Sequence, residues 1–99
     1  MKKQIPCKVF PGQFSSEYAI TAFQADGSKF SLFAPVSAVT PEETPTRNHE
    51  VDGWLTVNVW ENLGHHVVVQ LPRESFESGR FVTVDASTFR DPSELAFAS

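Results

Sequence analysis

From Trp54 to Val84 the chain alternates apolar and polar side chains with a period of two, and this stretch narrows the possible folds more than any other. Leu55, Val57 and Val59 alternate with Trp54, Thr56, Asn58 and Trp60. After Asn62-Leu63-Gly64 the pattern resumes, with Val67, Val69 and Leu71 against His66, Val68 and Gln70. A half-buried strand has this period because successive side chains leave the pleat on opposite faces. A three-residue loop with Gly64 in the left-handed conformation sets Val59 opposite Val67, Val57 opposite Val69 and Leu55 opposite Leu71. A two-residue loop would slip the register and set valines against the polar face, so the pattern predicts the longer turn. Pro72 to Ser78 fits a single helical turn capped by Gly79, with Phe76 directed into the core. A third apolar run, Phe81 to Val84, completes a β-meander.

The rest of the chain offers shorter signals. Ile5, Cys7 and Val9 alternate with Pro6, Lys8 and Phe10, a first strand that must be an edge near Pro6. Tyr18 to Ala25 reads as a second strand, and Asp26-Gly27 as a two-residue hairpin turn that sets Phe23 opposite Phe30 and Ile20 opposite Phe33. Thr40-Pro41-Glu42-Glu43 has the form of a capping box, stopped by Pro45 after one turn. Thr44 to Gly53 is polar and without period, and the whole of 40–53 is expected to form a mobile, dispensable loop. Asp91-Pro92-Ser93-Glu94 repeats the capping-box form, but too few residues follow for an independent helix, so 91–99 is expected to be loosely attached. Lys29-Phe30-Ser31-Leu32-Phe33 is echoed by Arg80-Phe81-Val82-Thr83-Val84, each followed by a serine (Ser37, Ser87). A likeness this loose is expected by chance among Phe-rich strands, and two copies are too few for a solenoid.

The chain has 99 residues, enough for one core without staples. Its apolar content is concentrated in nine Phe, two Trp and β-branched residues, which leans it towards strand. The expected fold is therefore all-β: one small domain over 1–99, a barrel or compact sandwich of five to six mostly antiparallel strands, with a one-turn helix near 72–78. An SH3-like barrel ranks first and an OB-like barrel second.

Charge and motif content exclude several function classes. A net charge of −4 and a pI near 5.2 oppose generic phosphate-backbone binding, which needs clustered Lys and Arg. Cys7 stands alone, so no disulfide framework or Cys-x-x-Cys motif is present, and a small core residue is the expected role. Met-Lys-Lys is followed by Pro6 rather than an apolar run, and no stretch has membrane-spanning length, so the cytoplasm is the expected compartment. No P-loop, dinucleotide fingerprint, Gly-x-Ser-x-Gly or His-Glu-x-x-His occurs, and no enzyme activity or cofactor is expected. His65 and His66, adjacent on a strand, point to opposite faces and cannot share a metal ion without a bulge; His49, Glu50 and Asp52 read as solvated loop residues.

One surface asks for more than a structural explanation. Trp54, Thr56, Asn58, Trp60, His66, Val68 and Gln70 share the polar face of the central hairpin, mixing aromatic and hydrogen-bonding groups without charge. The candidate site is Trp54, Asn58, Trp60, His66 and Gln70, the composition of a binding platform. The competing explanation is that both indoles lie beneath neighbouring segments as a second core. Position predicts cover for Trp54 and partial exposure for Trp60. The function expected is a non-catalytic interaction module that binds a protein partner or itself. The alternative is a single-stranded nucleic-acid binder of OB or cold-shock type, which would need cations around the aromatics and has only Arg73 and Arg80 near in sequence.

Overall fold

A computed structural model describes residues 1–91. The chain folds into seven strands: β1 (Lys2–Pro11), β2 (Glu17–Phe23), β3 (Lys29–Pro35), β4 (Val39–Pro41), β5 (Val51–Asn62), β6 (His66–Ser75) and β7 (Gly79–Asp85). Single 3₁₀ turns follow β3 at Val36–Ala38 and β7 at Ala86–Thr88. The strands form one curled antiparallel sheet in the order β3-β2-β1-β5-β6-β7, with β4 added to β5. The all-β barrel-like architecture expected from the alternation is what the chain adopts, as a half-barrel. From Pro92 onward, the expected second capping box and the loosely attached tail lie outside the described residues.

Both long hairpins differ from the sequence reading, and in opposite senses. Between β2 and β3 the loop is three residues, not two. Gly27 N–H donates to the Gln24 carbonyl at 2.9 Å and Gln24 N–H to the Ser28 carbonyl at 2.8 Å. Only Gly27 takes a positive φ, +88°, and the Asp26 carboxylate accepts the Ser28 N–H at 2.9 Å. Phe30 therefore faces Ala22, and Ile20 faces Leu32, while Phe23 lies outside opposite Lys29. The two-residue turn would have placed Phe23 beside Phe30 but turned Ile20 outward and the Thr21 hydroxyl inward. An aromatic cross-strand pair contributes about 0.2–1 kcal/mol. An unpartnered buried hydroxyl costs about 1–3 kcal/mol, so the longer loop wins.

Between β5 and β6 the turn is the shorter one. Leu63 N–H donates to the His66 carbonyl at 2.9 Å, leaving Gly64 and His65 at the tip, with Gly64 at φ +95°. The register slip this would cause is cancelled by a β-bulge at Trp60: Glu61 faces Val68, yet Val59 faces Val69 and Asn58 faces Gln70. A bulge and a short turn together have the same parity as a long turn, so the apolar side chains stay on the inner face. The pairing nevertheless lies two residues from the expected one: Val59 meets Val69 rather than Val67, and Val67 meets Asn62. Alternation along the strands reports that parity alone.

The one-turn helix expected near 72–78 is absent. β6 continues to Ser75, and residues 76–78 turn directly into β7. Ser75 closes the turn: its hydroxyl donates to the Gly79 carbonyl at 2.6 Å and accepts the Ser78 N–H at 3.0 Å. Pro72 lies in a break in the β6–β7 register, where Arg80 Nε donates to the Leu71 carbonyl at 3.0 Å. Phe76, expected in the core, is 70% exposed and meets Phe33 edge-to-face at 5.7 Å. Ordered pairing also reaches into 40–53: Thr40 faces Trp54, Pro41 faces Gly53, and Glu42 N–H donates to the Asp52 carbonyl at 2.9 Å. Val51 and Asp52 pair with Val9 and Lys8, which leaves residues 43–50 as the exposed excursion.

The echo dismissed as chance has a structural basis. β3 and β7 lie fifty residues apart with identical lengths, and so do the two 3₁₀ turns. Thr40 pairs with Trp54, and fifty residues away Arg90 pairs with Gln4. Ile5 and Leu55, themselves fifty residues apart, face each other across the β1–β5 ladder. A pseudo-twofold axis therefore passes between them and relates β1-β2-β3-turn-β4 to β5-β6-β7-turn-Arg90. The Phe30/Phe81 alignment was wrong by one residue, which on a strand exchanges the faces: Phe30 is fully buried and Phe81 is 44% exposed. The equivalent positions are Leu32 and Val82, Ala34 and Val84, Ser37 and Ser87.

Gly27→Val tests the β2–β3 turn. No atom lies within 4 Å of a Cβ added there, so the cost comes from the positive φ alone. The expected loss is about 1 kcal/mol or more in chemical denaturation; an unchanged midpoint would contradict the loop geometry.

Candidate functional site

Alternation along β5 and β6 directs Leu55, Val57, Val67, Val69 and Leu71 into the core, each no more than 2% exposed. The expected platform residues are on the outer face, but the fold divides them. Asn58 faces Gln70 across β5–β6, and Gln70 faces Phe81 across β6–β7, giving a continuous row. The bulge at Trp60 re-aims its indole, which meets the Phe81 ring edge-to-face at 5.2 Å while remaining 65% exposed.

Trp54 and His66 are not part of that group. Trp54 is half-buried beneath the Arg90 guanidinium, 4.0 Å from the ring centroid, a cation–π contact. Arg90 is held there by Gln4, whose Oε1 accepts its Nε at 2.8 Å. Gln4 is buried, and its amide donates to Thr40 and Thr56, each at 3.3 Å, so its polar atoms are satisfied. His66 lies near the hairpin tip opposite Asp85. The backbone N–H and hydroxyl of Ser87 hold the Asp85 carboxyl below its ordinary pKa, with a smaller contribution from His66 and His65.

The sequence reading missed Phe81. Val82 and Val84 point inward, which by alternation turns Phe81 and Thr83 out; counting Phe81 as part of an apolar run hid this. It also missed two grooves. One, of about 220 Å³, opens beside Asn58 and Gln70 and is walled by Pro35, Ser37, Ala38 and Pro72. The other, of about 360 Å³, lies over Cys7, Ala22, Phe23 and Val84, with the Lys8–Asp52 ion pair at its rim. They occupy dyad-related places: Cys7 corresponds to Val57, Lys8 to Asn58, Asp52 to Lys2, and Thr88 to Ala38.

The larger groove carries no visible chemistry. Burial, and secondarily the Asp52 charge, pushes the Cys7 thiol up to about 12, so it is neutral and unreactive at physiological pH. The Asp52 hydrogen bond and charge raise the Lys8 ammonium in turn. Among the described residues, no group of three or more His, Cys, Asp or Glu side chains could hold a metal ion, and no helix is long and apolar enough to cross a membrane. No protein-family model matches the chain, and neither the curated proteins nor the solved structures provide a match.

The two indoles should separate in solution. Iodide should quench Trp60 strongly in a Trp54→Phe variant and Trp54 weakly in a Trp60→Phe variant. Trp60→Ala should change stability by less than about 1 kcal/mol, as expected for an exposed side chain. Equal protection of both indoles would contradict the open face.

Proposed function

We propose that the protein is a non-catalytic interaction module that takes a protein partner on the outer face of β5–β7. The observation that carries this reading is the Trp60–Phe81 pair, two aromatic rings in mutual contact and left open to solvent beside the Asn58–Gln70 amides. Large, rigid aromatic surface binds at low cost in side-chain entropy, and Trp is enriched among residues that dominate interface energetics. The neighbouring groove supplies a recess in which a partner side chain can lodge, and the Asn58 and Gln70 amides can satisfy its backbone. The site is therefore Asn58, Trp60, Gln70 and Phe81, without Trp54 or His66.

The strand succession favours an SH3-like over an OB-like reading of the fold. Strand β1 pairs with β5, the β5–β7 meander follows, and a 3₁₀ turn returns Arg90 to the free edge of β1. The nucleic-acid alternative is less supported, because the two arginines near the aromatics are engaged within the chain. Arg73 reaches Glu17 at 3.4 Å, and Arg80 is bound to the Leu71 carbonyl.

Selection of binding peptides from a displayed library tests the proposal. Peptides selected on the unmodified protein should bind Trp60→Ala and Phe81→Ala at least about tenfold more weakly, which corresponds to about 1.4 kcal/mol. Their affinity should vary little with salt. Undiminished binding to both variants would contradict the site. A single-stranded oligonucleotide that binds with steep loss of affinity in salt would replace the reading with the alternative.

A further inference from the structure

The pseudo-twofold axis has a consequence independent of the Trp60–Phe81 site. The main backbone pairings that join residues 1–41 to residues 51–91 occur in a form that the axis maps onto itself or onto a counterpart within one or two residues. Side-chain bonds such as Arg73–Glu17 and Lys8–Asp52 are particular to one side. The β1–β5 ladder is centred on Ile5 and Leu55. Thr40 on Trp54 is matched by Arg90 on Gln4. The tips of the hairpins cross over reciprocally: Ala25 N–H donates to the Thr83 carbonyl at 2.9 Å, and Phe76 N–H donates to the Ser31 carbonyl at 2.8 Å. Within each unit the same correspondence holds, as Val36 N–H donates to Ser16 at 3.0 Å and Ala86 N–H to His65 at 2.9 Å. An interface in which one patch meets its own equivalent is the hallmark of a twofold dimer.

We infer that the chain is an intramolecular dimer of two like units, and that a second copy of this chain is a partner its interface accepts, by reciprocal exchange of halves. The residues that decide between the two states are 43–50. They are largely exposed, and within them Thr46 and His49 pair with each other. Their work is to return the chain from Pro41 to Val51 beside the same unit. Without them, Glu42 would be joined directly to Val51, while Val51 and Asp52 are held extended by Val9 and Lys8. The chain could reverse there only by releasing both pairs. Pairing with the complementary half of a second chain keeps both and needs no reversal, and short hinges are known to favour this exchange. Such a dimer presents two copies of the outer β5–β7 face.

The test uses the full chain with Lys8→Cys and Asp52→Cys, which face each other on the outer side of the ladder, while Cys7 points away into the core. With 43–50 present, the disulfide should form within one chain and the protein should sediment as a monomer. With 43–50 deleted, the folded protein should sediment at twice the mass, and its disulfides should link two chains on a non-reducing gel. A folded monomer with an internal disulfide would overturn the inference. Should the deletion variant not fold, a protease site inserted between Arg47 and Asn48 in the full chain decides. The cleaved halves should stay together at the parental mass and reassemble after denaturation; halves that separate or fail to reassemble would overturn it.

Discussion

The pairing of β1 with β5 is the interaction on which the rest depends. Eight residue pairs run from Lys2–Asn58 to Val9–Val51, and Ile5, Val9, Leu55 and Val57 on its inner side are no more than 2% exposed. Fully burying one such aliphatic side chain stabilises by about 1.5–3 kcal/mol. Either three-stranded unit alone would expose this apolar face together with the unpaired edge of its first strand. A sheet that leaves an apolar face and a strand edge in water is prone to pairing with other chains. Each unit thus provides the cover that the other lacks, and the hairpin tips close the curl by reaching across to the opposite third strand.

A shared scaffold with divergent surfaces explains where a site can arise. The outer row Asn58–Gln70–Phe81 of one unit corresponds to Lys8–Thr21–Ser31 of the other. The first carries amides and an aromatic ring with Trp60 beside it. The second carries a lysine engaged by Asp52, a threonine and a serine. The core positions on the same strands are apolar in both units, as Leu32 with Val82 and Ala34 with Val84 show. Packing constrains the inner face of both units, whereas their outer faces differ: Trp60 and Phe81 lie beside the Asn58–Gln70 amides, while Phe23 and the Phe33–Phe76 pair lie on the other side without such a row of amides.

How much of this was legible in the sequence depends on the physical signal involved. Alternation assigned most inward and outward positions correctly, because a strand allows two faces only. It could not settle loop length, since the bulge at Trp60 and the three-residue loop before Ser28 change register without leaving a hydrophobic mark. The turn at 76–78 was misread because Pro-x-x-Ser followed by Gly serves a helical turn and a serine-closed hairpin equally well. Exposure of Phe76 and Phe81 was missed for a related reason: an aromatic residue invites burial, and the register that denies it is set by Ser75 and Pro72. The internal symmetry was hidden by unlike residues at equivalent places, with Gln4 matched to Trp54 and Thr40 to Arg90, pairs that no residue-type comparison would join. The same difference between the units places Arg90 over Trp54, which removes one indole from the candidate site.

Native-state hydrogen exchange tests most directly the claim that the two units fold only as one. The Ile5 and Leu55 amides should exchange solely through global unfolding, with one shared free energy equal to that from chemical denaturation, and strongly protected amides of β2 and β6 should share that limit. Exchange of β1–β3 amides through a lower-energy opening while β5–β7 stay protected would contradict the account.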